Sequence, residues 1–110
     1  MRKCSITIKD KEYTIQLNRD SVVWLEGVGF NLEDITKKPV TSIDLLWAAG
    51  FVMNHPEVNA GLALKLQQSY KEEGGDVMEV VKFISEEYQS FITALSDTGS
   101  KKKKATITEI

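Results

Sequence analysis

The residues of this chain that could support catalysis or metal binding are few and scattered. His55 is the single histidine and Cys4 the single cysteine among 110 residues. A zinc site made of cysteine and histidine needs several such ligands, so we predict no metal site. A catalytic histidine needs an oriented nucleophile or substrate beside it. Because His55 lies in an Asn-His-Pro sequence, we interpret it as a turn residue, and we interpret Cys4 as a small packing residue in a strand.

The glycines and carboxylates do not form a recognisable catalytic or phosphate-binding motif. After Gly27 and Gly29, the third glycine of a GxGxxG motif would fall at Leu32, and no Lys-Ser or Lys-Thr pair follows as a P-loop requires. The carboxylates are numerous, but they stand where helix starts and solvated helix faces favour them. We therefore predict no cofactor and no enzymatic activity.

Four consecutive lysines occupy residues 101–104. A basic segment indicates nucleic-acid binding when aromatic residues interleave with it, and none do here. The whole chain has a formal net charge of −2 and an isoelectric point near 5.4. Four cations are few for tight binding at physiological salt. We therefore interpret residues 96–110 as a flexible, solvated, lysine-rich tail and do not expect a nucleic-acid partner.

The element that the other segments must cover is a helix predicted over residues 42–53, of which residues 43–53 have the sequence IDLLWAAGFVM. Its large apolar side chains point in nearly every direction, which is typical of a helix buried on all sides. Thr41 and Asp44 form a candidate capping box just after Pro39. Pro56 ends the helix, because the residue before a proline is disfavoured in helical geometry.

Alternation and helical periodicity place the remaining elements around this central helix. Alternating apolar residues predict a β-hairpin over residues 4–17, with residues 9–12 as its connection; they are Ile6, Ile8, Tyr13, Ile15 and Leu17. Further helices are predicted over residues 20–27, 57–73 and 77–95. The predicted fold is α+β and mainly α: one globular domain over residues 1–95, with an N-terminal β-hairpin packed on a small bundle around a central buried helix.

The apolar content of the chain does not predict a membrane segment. The longest apolar run, residues 45–53, is far shorter than the ~20 residues that cross a bilayer. The first residues carry charge but no long apolar stretch, so they do not resemble a signal peptide. A lone cysteine fits a reducing compartment. We therefore expect a soluble, cytoplasmic protein.

Four large apolar residues exceed what packing of the core requires. Leu64 and Phe83 fall on helix faces that are otherwise polar, and Met53 and Met78 add adaptable surface near helix ends. Scattered exposed apolar residues are normal in folded proteins, whereas a cluster of them marks a protein-binding face. Met53, Leu64, Met78 and Phe83 are thus the candidate partner-binding residues, and ordinary surface scatter is the alternative.

Four sequence blocks follow one another between residues 5 and 95, namely ITIKDKEYTIQLN, WLEGVGFNLEDI, KPVTSIDLLWAAGFVMNHP and EEYQSFITAL. Their order resembles the small tail assembly chaperones of long-tailed bacteriophages and prophages. The resemblance implies a mostly helical, non-enzymatic protein with a β-hairpin. It also implies that the protein binds the long, aggregation-prone tape measure protein until tail tube subunits polymerise around it, and is absent from the mature virion.

The resemblance gives the lysine run a second interpretation. Members of this group are often made in two lengths through a programmed translational frameshift near the end of the short reading frame. Every lysine codon begins with two adenines, so residues 101–104 require an adenine-rich message on which a ribosome slips. We hypothesise that the run is retained for its codons at least as much as for its charge, and that ATITEI is the in-frame end of the short product. A gene without an overlapping downstream frame, or a single product length, would contradict this.

The resemblance implies that the protein acts by binding its partner and shielding it, without a catalysed reaction. Apolar patches on the helices, multiplied by self-association, would cover the apolar stripe of tape measure helices, with tail tube protein as a second expected partner. Two alternatives stay open. A structural virion protein, such as a tail or head-completion adaptor, would be present in purified particles at fixed copy number. A nucleic-acid-binding regulator would lose binding on truncation after Leu95.

Overall fold

The computed structural model describes residues 2–96 of the chain. Two strands precede five helices, namely β1 (Lys3–Ile8), β2 (Lys11–Gln16), α1 (Arg19–Gly27), α2 (Asp34–Lys37), α3 (Pro39–Val52), α4 (Ala60–Glu72) and α5 (Val77–Ser96). The fold is therefore α+β and mainly α, with an N-terminal hairpin, as the sequence predicts. Residues 97–110, which make up nearly all of the predicted tail, lie outside the described range.

The hairpin turns more tightly than the sequence indicates. β1 and β2 are antiparallel, and Ile8 pairs directly with Lys11. Only Lys9 and Asp10 form the connection, with φ angles of 50° and 66°. Positive φ at both central residues is the signature of the two-residue turn whose twist matches that of the strands. The predicted four-residue connection is therefore wrong, because Lys11 and Glu12 already belong to β2.

The apolar face of the hairpin packs on α3, which is the central helix of the fold. The alternating residues of both strands are buried, namely Ile6, Ile8, Tyr13, Ile15 and Leu17. Neighbouring side chains pack closely against Gly50 of α3. A Cβ added to this glycine would lie 2.6 Å from Cγ2 of Ile15 in β2 and 2.8 Å from Cδ1 of Ile84 in α5. The central buried helix that the sequence predicts is thus confirmed, with side chains of the hairpin and of α5 meeting at Gly50.

The start of α3 differs from the prediction. The helix begins at Pro39 rather than at residue 42, and no side chain caps its first amides. Proline suits the first helical position because its φ angle is already helical and it has no amide hydrogen to satisfy. The predicted Thr41 and Asp44 capping box is therefore wrong. The Asp44 carboxylate instead accepts a hydrogen bond from Nε2 of Gln67 in α4, at 3.2 Å.

Local side-chain hydrogen bonds set the starts of α1, α4 and α5. Asn18 and Ser21 form a reciprocal capping box at α1. Asn59 accepts the Leu62 amide hydrogen at 2.8 Å, so α4 begins at Ala60 and not at the predicted residue 57. Asp76 accepts the amide hydrogen of Glu79 at 3.2 Å and caps α5. The predicted apolar stripe of α5 is confirmed, with Val80, Val81, Ile84 and Tyr88 buried.

Trp47 joins α3 to α4 inside the core. The side chain is fully buried, and its Nε1 donates a hydrogen bond to the carbonyl oxygen of Ala63 at 2.8 Å. Its ring lies 5.5 Å from the ring of Phe51 and 5.7 Å from that of Tyr70, centroid to centroid. Aromatic pairs at these separations add to the free energy gained from apolar burial.

His55 fastens the end of α3 to β2. Its Nε2 accepts the backbone amide hydrogen of Thr14 at 3.0 Å, and its ring lies 5.0 Å from that of Tyr13. Beside it, Nδ2 of Asn54 donates to the carbonyl oxygen of Thr14 at 3.4 Å. His55 is therefore a turn residue, as predicted, and it also supplies a hydrogen bond to the hairpin that the sequence does not indicate.

Replacing His55 by phenylalanine keeps an aromatic ring and removes the acceptor for Thr14. We expect His55→Phe to lower the free energy of unfolding by about 1 kcal/mol, because a partly buried amide is left without its partner. Chemical denaturation measures this loss. The matched control is Glu57→Gln, since the exposed Glu57 carboxylate lies 3.7 Å from Nδ1 of His55 and such pairs contribute little. A His55→Phe protein as stable as the Glu57→Gln protein would contradict the assigned role.

Candidate functional site

Cys4 and His55 have the most reactive side chains, and both make structural contacts within the fold. Cys4 is half-buried, and burial, together with the nearby Glu79 carboxylate, raises the pKa of its thiol. A raised pKa leaves little thiolate, the nucleophilic form, near neutral pH. His55 already accepts the Thr14 amide hydrogen through Nε2. Over residues 2–96, no group of three or more His, Cys, Asp or Glu side chains could hold a metal ion.

The described residues contain no helix that could span a membrane. None of the helices within residues 2–96 combines the length and the apolar character that a bilayer crossing requires.

A groove runs between α3 and α5 and encloses about 460 Å³. We call it the α3–α5 groove. It is lined by Ile35, Pro39, Ser42, Ile43, Leu46, Met78, Val81, Lys82, Ser85, Glu86 and Gln89.

Helical periodicity explains why these residues share one groove. The α3 positions 39, 42, 43 and 46 follow the three-and-four spacing of a single helix face, and so do the α5 positions from 78 to 89. Leu46 and Val81 are buried and form an apolar floor. Lys82, Glu86 and Gln89 are exposed and form a polar rim along α5. The groove thus has an apolar floor and a polar, charged rim along α5.

A second depression continues the groove toward α4. It encloses about 350 Å³ and shares Ile43 and Met78 with the α3–α5 groove. Gln67 and Lys71 of α4 line its far side. Val40, which also lines it, is 71% exposed, and Met78 is 55% exposed. We call the two depressions together the extended groove, and its centre is a solvent-accessible apolar surface.

The charges around the extended groove have both signs. Lys82 and Glu86 stand one helical turn apart on α5. Lys71 and Asp76 stand at the end nearer to α4. Because neither sign dominates, the surface does not attract one class of charged partner over long range. It matches a partner whose own apolar stripe is flanked by both acidic and basic residues.

Of the four candidate partner-binding residues, Met78 alone lines the extended groove. Leu64 is exposed on α4, and helical periodicity puts it on the same face as Lys71, about two turns away. Met53 is exposed immediately after the last residue of α3, whereas the groove lies along the first half of that helix. The four residues therefore do not form one cluster.

Phe83 is covered by the start of the chain. It is half-buried against the core, and the guanidinium carbon of Arg2 lies 5.1 Å from the centre of its ring. Arg2 is held there by Glu87, with Nε donating to Oε2 at 2.9 Å. This arrangement gives Phe83 a packing partner within the chain.

The sequence does not identify Val40, Ile43 and Ser42 as residues of the site. With α3 predicted from residue 42, Val40 lies outside the predicted helix and Ile43 belongs to its buried surface. The signal that could have found them is Pro39 as first helical residue, because it brings Val40 into the helix and places positions 39, 42, 43 and 46 on one face. Ser42 lies in the same stretch and is 2% exposed.

Comparison with known proteins gives one match. Residues 1–109 match a protein family described as a domain of unknown function (DUF5055). The comparison with curated proteins found no match, and the comparison with solved structures found none either.

Proposed function

We propose that this chain, which belongs to the DUF5055 family, is a non-catalytic tail assembly chaperone that holds helices of a tape measure protein in its extended groove. The observation that carries the proposal is the apolar centre of that groove, formed by exposed Val40 and Met78 and by half-buried Ile43. The class of partner comes from the resemblance of the sequence to phage tail assembly chaperones.

The length of the groove suits a short helical segment. Its α5 wall runs from residue 78 to residue 89, which is about 16 Å at the rise of an α-helix, or roughly three turns. An amphipathic helix places its apolar stripe in such a groove through positions i, i+3, i+4 and i+7. Lys82 and Glu86 then face the charged flanks of the bound helix.

Because the groove is small, one copy of the chain should bind one helical segment only weakly. Weak binding favours a temporary complex over a permanent assembly. Three turns of helix bury less surface than a stable interface between two proteins. Many copies bound along one long partner, or self-associated copies, raise the overall hold through avidity while each contact stays reversible. Tail tube subunits would then displace the chaperone without an energy source.

The proposed place of action is the cytoplasm of the bacterial host. A tape measure protein needs cover between its synthesis and the polymerisation of the tail tube, and the chaperone is then released. Purified virions should therefore lack this chain. Its presence in them at fixed copy number would instead support the alternative of a structural tail or head-completion adaptor.

Co-expression with the neighbouring long helical open reading frame tests the proposal. We expect the wild-type chain to keep that partner soluble and to co-purify with it. Met78→Glu puts a charge in the apolar centre of the groove and is expected to weaken binding about tenfold or more, because burying a methionine side chain contributes about 1.5–3 kcal/mol. Titration of the purified partner or its fragments measures the affinity.

The matched control is Met53→Glu, which adds the same charge at an exposed methionine outside the groove. We expect it to bind like the wild-type chain. Equal losses for the two variants would contradict the groove as the binding site. An insoluble partner beside a monomeric chain that does not interact with it would contradict the proposed function itself.

A further inference from the structure

A second apolar surface lies between α1 and the C-terminal part of α5. We call it the α1–α5 face, and it is lined by Arg19, Val22, Val23, Glu26, Phe91 and Ile92. Val23 is 52% exposed, while Phe91 and Ile92 are half-buried beside it. The α5 residues of this face come after Gln89, the last residue of the extended groove on that helix. The two surfaces share no lining residue.

The apolar surface continues from the α1–α5 face toward the segment between α1 and α2. A neighbouring depression shares Ile92 with the face and is also lined by Leu32, which is 37% exposed. Single exposed apolar residues are common on folded proteins. Several that adjoin one another mark an interaction site.

Two opposite charges stand on either side of Val23 along α1. Arg19 lies four residues before Val23 and Glu26 three residues after it, so the three side chains share one face of the helix. Both charged residues are exposed. Within residues 2–96, neither has an ion-pair partner. A stripe that is positive at one end, apolar in the middle and negative at the other end is complementary to a reversed copy of itself.

The same two charges stand at the ends of α1 that disfavour them. The N-terminal end of a helix carries a partial positive charge and the C-terminal end a partial negative charge. Arg19 is the first residue of α1, and Glu26 lies in its last turn. An antiparallel second copy of α1 improves both placements. Arg19 then lies beside the C-terminal end of the other helix, and Glu26 lies beside its N-terminal end.

We infer that the α1–α5 face binds a second copy of this chain, with the two α1 helices antiparallel about a two-fold axis near Val23. In this arrangement Arg19 of each copy pairs with Glu26 of the other, and the two Val23 side chains meet near the axis. A two-fold interface uses the same surface on both copies, so it requires a self-complementary patch. The inference does not depend on what binds in the extended groove.

A second copy matches the charges of the face better than two other occupants do. The lysine run at residues 101–104 could pair with Glu26 but would repel Arg19. A negatively charged membrane surface would attract Arg19 but repel Glu26. A second copy offers the opposite charge to both residues at once.

The small size of the interface predicts a dimer that forms and dissociates readily. α1 has nine residues, which is about 14 Å at the rise of an α-helix. Interfaces below the standard size are typically weak and transient. Because the extended groove shares no residue with the α1–α5 face, a dimer presents two grooves at once. Two linked grooves would bind one long partner more tightly than either groove alone.

Sedimentation equilibrium of the full chain tests the inference at concentrations from about 5 µM to about 500 µM, a range that detects weak association. We expect the wild-type chain to form a dimer whose population rises with concentration. Arg19→Glu and Glu26→Arg each turn two attractive pairs into two repulsive ones, so each should raise the dissociation constant about tenfold. The matched control Lys65→Glu reverses the charge of an exposed α4 residue outside both surfaces. It should dimerise like the wild-type chain.

Mixing the two variants tests the second copy directly. Arg19→Glu has acidic residues at both positions, and Glu26→Arg has basic residues at both. An equimolar mixture therefore regains both attractive pairs in an antiparallel heterodimer, and we expect it to recover most of the wild-type affinity. Both reversals suit the ends of α1 better than the natural residues do. Circular dichroism should therefore show unchanged helical content, so that unfolding does not explain the loss of the dimer.

Three results would overturn the inference. A wild-type chain that stays monomeric over the whole concentration range excludes this dimer. Dimers of both variants that are as stable as those of Lys65→Glu must use another surface. Weaker dimers that do not recover in the mixture show that the face does not pair with a reversed copy of itself. None of these results bears on helix binding in the extended groove, which Met78→Glu tests separately.

Discussion

Trp47→Ala is expected to lower the free energy of unfolding by about 3–5 kcal/mol, the range typical of removing a large aromatic side chain from a packed core. The indole is fully buried and contacts the rings of Phe51 and Tyr70. Its loss leaves a cavity between α3 and α4. It also removes the hydrogen bond to the Ala63 carbonyl, which is the buried polar link between these helices, beside the part-buried one from Gln67 to Asp44.

Circular dichroism in increasing denaturant measures this change without relying on tryptophan fluorescence. The matched control is Trp24→Ala in α1, because Trp24 is only half-buried against the same core. We expect it to lose roughly half as much stability, since less apolar surface returns to water. A Trp47→Ala protein that is no less stable than Trp24→Ala would show that the α3 to α4 contact is not central to the fold.

The second large effect is expected at Gly50, where alanine should destabilise the protein by about 2 kcal/mol even though alanine favours a helix. Glycine in a helix interior costs about 1 kcal/mol relative to alanine, so a free site would gain stability. At Gly50 the added methyl would lie 2.6 Å from Ile15 and 2.8 Å from Ile84. The side chains of Ile15 and Ile84 must both shift inside a packed core, and such overpacking typically costs about 1–3 kcal/mol.

Gly61→Ala in α4 is the matched control, because a Cβ there meets its nearest atom, Oδ1 of Asn59, at an ordinary 3.5 Å. We expect Gly61→Ala to raise the free energy of unfolding by up to about 1 kcal/mol. The two substitutions are chemically identical and should have opposite signs. A gain in stability at both positions would mean that the hairpin does not approach α3 as closely as described.

The parts of the fold that the sequence predicts are those where burial repeats with a fixed period. The hairpin alternates buried Ile6, Ile8, Tyr13 and Ile15 with exposed residues, and α5 buries Val80, Val81, Ile84 and Tyr88 at helical spacing. Such patterns extend over many residues, so one local exception does not hide them. The central helix is equally easy to predict, because a helix that is apolar on every side is typically buried in the core.

The errors fall at element ends, where single side chains compete for the same backbone groups. Thr41 and Asp44 have the spacing of a capping box, but Pro39 starts α3 earlier and leaves that box without a role. Asn59 captures the first amides of α4 and shortens the predicted helix. Lys9 and Asp10 adopt positive φ and shorten the hairpin connection. Each outcome depends on a local choice that residue type alone leaves open.

The candidate site was only partly predictable, because it depends on which helix faces meet. The sequence predicts Met78 as an apolar residue near a helix end, and it lies at the centre of the extended groove. The sequence also predicts Phe83, as an apolar residue on a polar helix face, but the Arg2 guanidinium lies over its ring. Ile43 and Ser42 join Met78 through tertiary packing alone. Periodicity in the sequence shows which residues share a helix face, but it does not show which other element packs against that face.

Completion of this fold depends on its last helix. The bridge from Arg2 to Glu87 ties the residue before β1 to α5 across 85 positions of sequence, and Ile84 of that helix packs against Gly50. A chain made from its N-terminus forms the hairpin early, long before α5 exists. Contacts between such distant positions close late in folding. The apolar face of the nascent hairpin can pack on α3 before α5 is made, but the contact of Ile15 and Ile84 at Gly50 is complete only when the final helix is synthesised and docks.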